Sequence, residues 1–172
     1  MMVTFGYQTL TGSAQPLFSD KITAALPVPL STIDPILTVA DTTIYEVGFR
    51  LVLEPGTANQ DLLRVSRILS STTMQCSYEG ATPNAHAVNS VIALAVSAAE
   101  LVVQPKSGNA NSVFLGKDNT VTSAGAGHTF AEVVPGYPYR MTNSGQYNTV
   151  LTTDVWVAGT ASQTFLASAL VI

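Results

Sequence analysis

Thr43-Ile44-Tyr45-Glu46-Val47-Gly48-Phe49-Arg50-Leu51-Val52-Leu53-Glu54 alternates apolar and polar residues over much of its length and stops at the turn dipeptide Pro55-Gly56. Side chains of a strand point to opposite faces in turn, so a period of two predicts a strand with one face buried. Leu62 to Ile68 and Thr72 to Tyr78 follow with the same alternation, joined by a small-residue turn around Ser70 and Ser71. Three such runs in succession predict a β-meander.

Strand signals continue outward from this stretch. Val102 to Gln104, Ser112 to Leu115, Thr120 to Thr122, Thr129 to Val133, Tyr139 to Thr142, Val150 to Val157 and Thr164 to Val171 are each expected to be extended. Gly108-Asn109 and Lys117-Asp118-Asn119 separate some of them as turns. Turn signals every eight to twelve residues are the spacing of a β-sandwich or barrel. Ala81 to Leu101 is Ala/Leu-rich after Pro83, but Val88, Val91, Ile92 and Val96 are β-branched. The expectation there is a short helical turn near Asn84-Ala85-His86 and then a strand. The first forty residues carry Pro16, Pro27, Pro29 and Pro35, which remove backbone donors and favour irregular extended chain. This predicts an apolar N-terminal arm, with Leu26, Val28, Leu30 and Ile33 as residues that contact a partner.

Composition bounds the function. The chain has 172 residues, 47% hydrophobic but only 10% charged, with a net charge of −4. A globular average is about 25% charged. Its surface is therefore expected to be Thr/Ser/Asn/Gln-rich, or covered by partners. No window has the roughly 18 charge-free apolar residues of a membrane-spanning helix, and no basic n-region follows Met1-Met2, so neither a membrane nor a signal peptide is expected. Seven scattered basic residues form no patch for phosphates, which argues against nucleic acid. Cys76, the single cysteine, reads as a small buried residue.

Chemistry is sparse. A nucleophile needs a base within hydrogen-bond reach, and only His86 and His128 are available. Ser123-Ala124-Gly125-Ala126-Gly127 is Gly-rich but lacks the Lys-Ser/Thr of a phosphate-binding loop. Two distant histidines make a poor metal site. Asp34, Asp41, Asp61 and Asp118 stand beside turns, where an acid caps backbone amides. No enzyme activity, cofactor or metal is expected. Tyr137, Tyr139, Tyr147 and Trp156 fall close together and offer, as an alternative, an aromatic surface for a glycan.

Two segments resemble phrases of tailed-bacteriophage structural proteins. Glu54 to Val65, Thr72-Thr73-Met74 and Tyr78 to Ala87 are similar to a pattern in which a Pro-Gly-Thr turn and a strand precede a histidine-packed turn. Ala81 and Asn89 depart from it. In this pattern His86 is a structural turn residue that bonds backbone groups. Leu101 to Gly116, Val134-Pro135-Gly136-Tyr137 and Leu151 to Thr164 resemble small β-barrel or jelly-roll-like modules of phage head and tail accessory proteins. There a Pro-Gly turn precedes a strand, and Trp156-Val157-Ala158-Gly159-Thr160-Ala161-Ser162-Gln163 matches the closing Trp-x-x-Gly-Thr-x-x-Gln. Thr9 to Leu17 is similar to their opening strand.

The expected protein is thus all-β: an antiparallel β-sandwich or barrel, jelly-roll-like, with an inserted β-meander and an extended N-terminal arm. Its boundaries are expected at 1–45 for the arm and first strands, 46–97 for the insertion and 98–172 for the C-terminal module. The resemblance implies a capsid decoration (cement) protein, made in the host cytoplasm and located on the capsid surface. Its implied partners are the major capsid protein and itself, as a homotrimer. The alternative is a receptor- or glycan-binding module of a head or tail fibre. A tail-tube subunit would carry a long helix on a sheet, and no such periodicity is present.

Overall fold

The computed structural model of the chain describes residues 1–27, 34–80, 83–142 and 150–172. Among them lie strands β1 to β15, numbered in chain order, one 3-10 turn and no α-helix. All strand pairs are antiparallel, so the all-β sandwich class expected from the period-two pattern is the class observed. The chain divides into two compact units, Met1–Phe18 with Val96–Ile172, and Ser19–Ala95. The second unit begins at residue 19, and within the first 45 residues Met2–Thr9, Gln15–Pro16, Ser19–Lys21 and Ile36–Thr38 are strands paired in sheets, while 28–33 of the expected arm lie outside the described residues.

The first unit has two sheets. One runs β1 (Met2–Thr9), β15 (Thr164–Val171), β9 (Ser97–Pro105) and β12 (Tyr139–Thr142), with β13 (Val150–Leu151) also on β9. The other runs β11 (Thr129–Val133), β10 (Val113–Gly116), β14 (Trp156–Ala158) and β2 (Gln15–Pro16). Alternation decides which residues enter the core. Phe165, Ala167 and Ala169 of β15 are buried, as are Leu101 and Val103 of β9, while Gln104 and Leu170 face outward. Val113, Leu115, Val157 and Ala158 supply the other sheet's share. Each large apolar side chain so buried contributes about 1.5–3 kcal/mol.

The Trp-x-x-Gly-Thr-x-x-Gln segment has a mechanical role here. Gln163 is buried; its Oε1 accepts the Thr160 amide at 2.6 Å, and its Nε2 donates to the Asn111 carbonyl at 2.5 Å. Asn109 pairs with the Thr164 backbone, accepting its N–H at 3.2 Å and donating to its C=O at 2.8 Å. Side-chain amides therefore finish the pairing where the strands end. A Cβ at Gly159 would lie 2.5 Å from Leu10 Cδ1 and 2.7 Å from Gln163 Oε1, so only glycine lets this turn close.

The second unit is one six-stranded sheet in the order β3 (Ser19–Lys21), β8 (Val91–Ala95), β5 (Arg50–Leu53), β6 (Asp61–Ile68), β7 (Thr73–Tyr78) and β4 (Ile36–Thr38). The expected meander is present as β5–β6–β7. Register lines up one buried row across it: Leu94 on Leu51, Leu51 on Leu63, Val65 on Cys76, and Met74 on Leu37.

Four local expectations are corrected. Thr43 to Phe49 is two turns, not strand: Asp41 accepts the Thr43 amide and hydroxyl, Tyr45 N–H bonds Thr42 O, and Phe49 N–H bonds Glu46 O. Buried Tyr45 points its hydroxyl at Asp20, 3.0 Å away, a tertiary bond that alternation cannot foresee. Thr120 to Thr122 is a turn closed on Asp118. Val150 to Val157 is broken by the 3-10 turn Thr152–Asp154, where the Thr152 hydroxyl accepts the Val96 amide. No helical turn forms at Asn84-Ala85-His86; His86 bridges Leu26 in extended chain instead.

Replacing Gln163 by Ala is expected to lower the unfolding free energy by about 1–3 kcal/mol, since it strands the Thr160 amide and the Asn111 carbonyl. Urea denaturation monitored by Trp156 fluorescence measures this; an unchanged midpoint would refute the clasp.

Candidate functional site

Titratable groups converge in the second unit. Asp61 opens β6 in the same parity as Leu63 and Val65, so the pleat turns its carboxylate to the buried face. A buried carboxylate must be met by donors. It receives three: the Asn84 amide at 2.7 Å, Asn84 Nδ2 at 3.0 Å, and the His86 ring, whose Nε2 lies 2.9 Å away. His86 is 1% exposed. Its Nδ1 has no hydrogen bond but lies 3.4 Å from Glu54 Oε1, which accepts the Ser90 hydroxyl at 2.5 Å. Glu54 itself holds a left-handed backbone, φ 46°, at the end of β5.

This constellation binds chain to chain. The ring of His86 is sealed, its Asp61 partner is 6% exposed, and the Ser90 hydroxyl is directed at Glu54 instead of at the ring. A buried imidazole between two carboxylates pins residues 84–90 against β5 and β6. The resemblance implied that His86 bonds backbone groups; its ring meets the Asp61 carboxylate instead. Asp61 is no turn cap; the parity of Asp61, Leu63 and Val65 was the signal that placed it inside. Asp41 and Asp118 do cap turns. Hydrogen bonds from Thr120 and His128 hold the exposed Asp118 carboxyl down at about 2. Its ionised form therefore keeps these bonds above the ordinary carboxylate range and loses them only as pH falls through about 2.

Cys76 lies on the core face of β7, and burial pushes its thiol up to about 12, which leaves almost no thiolate near neutrality. Among the described residues no group of three or more His, Cys, Asp or Glu side chains is arranged to hold a metal ion.

The sequence-selected residues fall in different places. Leu26 is buried, with both backbone bonds made to His86 at 2.8 Å; Val28, Leu30 and Ile33 lie outside the described residues. Trp156 is a core residue packed with Val121, Ala158, Ala14 and Phe114. Tyr147 lies outside the described residues, Tyr139 is half-buried, and Tyr137 is 71% exposed. The four aromatics therefore do not share one surface.

Two open hollows border β11 in the first unit. One, of about 510 Å³, is lined by Lys117, Phe130, Tyr139, Met141, Val150, Asp154 and Val155. The other, of about 520 Å³, is mainly polar, with Asn111, Ser112, Ser123, Glu132 and Thr160 around Phe114 and Val134. Phe130, Glu132 and Val134 point outward from β11 in alternation, and Tyr137 follows on the Pro135-Gly136 turn. Of these only Tyr137 was singled out as a candidate site residue; Phe130 fell in the expected strand Thr129 to Val133, and Val134 in the Val134-Pro135-Gly136-Tyr137 phrase.

No family model, curated protein or solved structure matches the chain.

His86→Ala is expected to destabilise the protein by about 3 kcal/mol or more, because it leaves Asp61 buried with one donor group fewer and opens a cavity. Thermal unfolding followed by circular dichroism tests this; a loss under about 1 kcal/mol would mean that the cluster is dispensable.

Proposed function

We propose that this chain is a structural, non-enzymatic virion protein: a capsid decoration protein that binds assembled phage heads through the major capsid protein. The observation that carries the reading is the coherence of the residues behind the phage resemblance. Asn109, Asn111, Gly159, Thr160 and Gln163, which lie in the segments that resemble phage modules, meet in one clasp, and this supports the reading. Low charge and strand-borne Thr and Ser also suit a surface that lies against other subunits. The contact is assigned to the outward face of β11 and the turn beyond it, where Phe130, Val134 and Tyr137 are exposed. A few exposed aromatic and aliphatic side chains can supply most of the energy of a protein interface.

A decoration protein works by mass action. Ligand that binds only the assembled shell stabilises it by about 2.7 kcal/mol per site at a free concentration of 100 times Kd. An oligomer would multiply this by engaging several capsid subunits at once.

The glycan-binding alternative rests on the hollow where Tyr139 stands with Asp154 and Lys117, since sugars stack on aromatic rings and bond flanking polar groups. Among the described residues Tyr137 and Tyr139 are the aromatics left for it, because Trp156 is buried.

Co-sedimentation with phage heads assembled without this protein decides between the two. Decoration predicts that the chain pellets with heads and raises their disruption temperature. Val134→Asp with Tyr137→Asp should weaken binding tenfold or more, about 1.4 kcal/mol. Failure to pellet, with Tyr139-dependent retention on immobilised glycans, would transfer the assignment to receptor binding.

A further inference from the structure

A sheet edge exposes a row of backbone donors and acceptors that another strand can use, and proteins blunt edges with charge, proline or shortness. Nearly every edge of this chain among the described residues is blunted. β12 has four residues, follows Pro138 and carries Arg140; β13 has two. β11 carries Glu132 pointing outward. β2 is two residues ending in Pro16. β3 is three residues with Asp20 and Lys21, and β4 is three residues after Pro35. β1 is the exception: eight residues, Met2–Thr9, without a charged side chain or a proline.

The side chains along that edge are also unprotected. Met2 is 59% exposed and Tyr7 64%, and Thr4 and Thr9 are exposed. Leu170 and Ile172 are exposed beside them at the end of the chain. The orientation of the backbone follows from the hydrogen bonds. Met1 and Val171 exchange both bonds, the Val171 amide to Met1 O at 2.7 Å and the Met1 amino group to Val171 O at 2.6 Å. Bonded and non-bonded pairs alternate along an antiparallel ladder. Since Met2 and Thr4 stand opposite Leu170 and Ser168 in the regular part of the ladder, their N–H and C=O groups point away from β15, toward the open side. The bulge that interrupts this edge comes later, between Phe5 and Gln8.

We propose that β1 pairs antiparallel with β1 of a second copy of this chain, joining the two β1–β15–β9–β12 sheets across a two-fold axis. The occupant follows from the rest of the molecule. Among the described residues no other edge offers a long uncharged strand, so a head-to-tail contact finds no complement there, whereas β1 complements itself. β1 itself carries no charged side chain, so two copies paired about Val3 bring no like-charged β1 side chains together; the Met1 amino group, bonded to Val171 O, and Lys106, whose Nζ lies 6.0 Å from the Tyr7 ring, flank the edge. Placing the axis at Val3 sets Met2 against Thr4 of the copy, and each then exchanges both of its free backbone bonds. A self-complementary contact of this kind closes and does not propagate. This inference is independent of the capsid reading.

The test is the mass of the full chain by light scattering on gel filtration, together with Thr4→Pro. Proline at an edge position whose N–H faces outward leaves the β15 ladder intact. The expected result is twice the 18.0 kDa chain mass for the native protein, falling to one chain in Thr4→Pro and in Thr4→Lys, with unchanged far-UV circular dichroism. A variant-free readout is hydrogen exchange in the native protein, where the outward Thr4 amide is protected if paired and exchanges rapidly if free. Three such pairs in a hexamer would also support the proposal, provided Thr4→Pro splits them. A single-chain mass, a simple three-chain mass, open-ended aggregates, a dimer that survives Thr4→Pro or Thr4→Lys in folded protein, or a rapidly exchanging Thr4 amide would each overturn it.

Discussion

The first unit depends on one constraint: its central strands find partners only across long stretches of chain. β9 takes β15 on one side and β12 on the other, and β15 in turn takes β1. The sheet is complete only when Met1 is bonded to Val171. Such pairing meets its loop-closure cost before its contacts form. That explains why the ends of these strands are secured by side chains as well as by the ladder. Asn109 bonds Thr164 and Gln163 reaches Asn111, so segments about fifty residues apart are held where regular pairing stops.

The second unit solves the opposite problem. Its β5–β6–β7 meander is local and needs little help to find its register, but residues 84–90 carry almost no regular structure. Asp61 supplies the fixing point. A carboxylate turned into the core by strand parity must be satisfied there, and Asn84 and His86 are the groups that do so. The loop thus inherits its position from a polar requirement of the core. The His–Asp contact that would suggest catalysis in an open cleft is here sealed, with Ser90 committed to Glu54. The same residue types in the same proximity do different work according to whether water and a substrate can reach them.

What remains for interaction is the surface. Phe130, Val134 and Tyr137 on one edge of the first unit, and β1 on another, are apolar or uncharged features without an internal task. Both are the surfaces on which the proposed subunit contacts rest, and they differ in kind. The β11 face offers side chains, and β1 offers backbone.

The sequence alone determined the class of the fold and much of its strand inventory. Leu62 to Ile68, Thr72 to Tyr78, Thr129 to Val133, Tyr139 to Thr142 and Thr164 to Val171 could be read directly, because a half-buried strand writes its period of two into the chain. The burial of Cys76 was legible too, because a lone cysteine with no metal-site or thiol-activating residue beside it behaves as a small apolar residue. Tertiary structure decided the rest. Thr43 to Phe49 alternates like a strand but is bent into turns by Asp41 and by the distant Asp20 that holds Tyr45. Trp156 admits a core or a surface place by sequence until Val121 and Phe114 pack against it. Asp61 looks like a turn cap until Asn84 and His86 arrive. In each case local pattern fixes which way a side chain points, but its partner lies tens of residues away, and only the fold brings the two together.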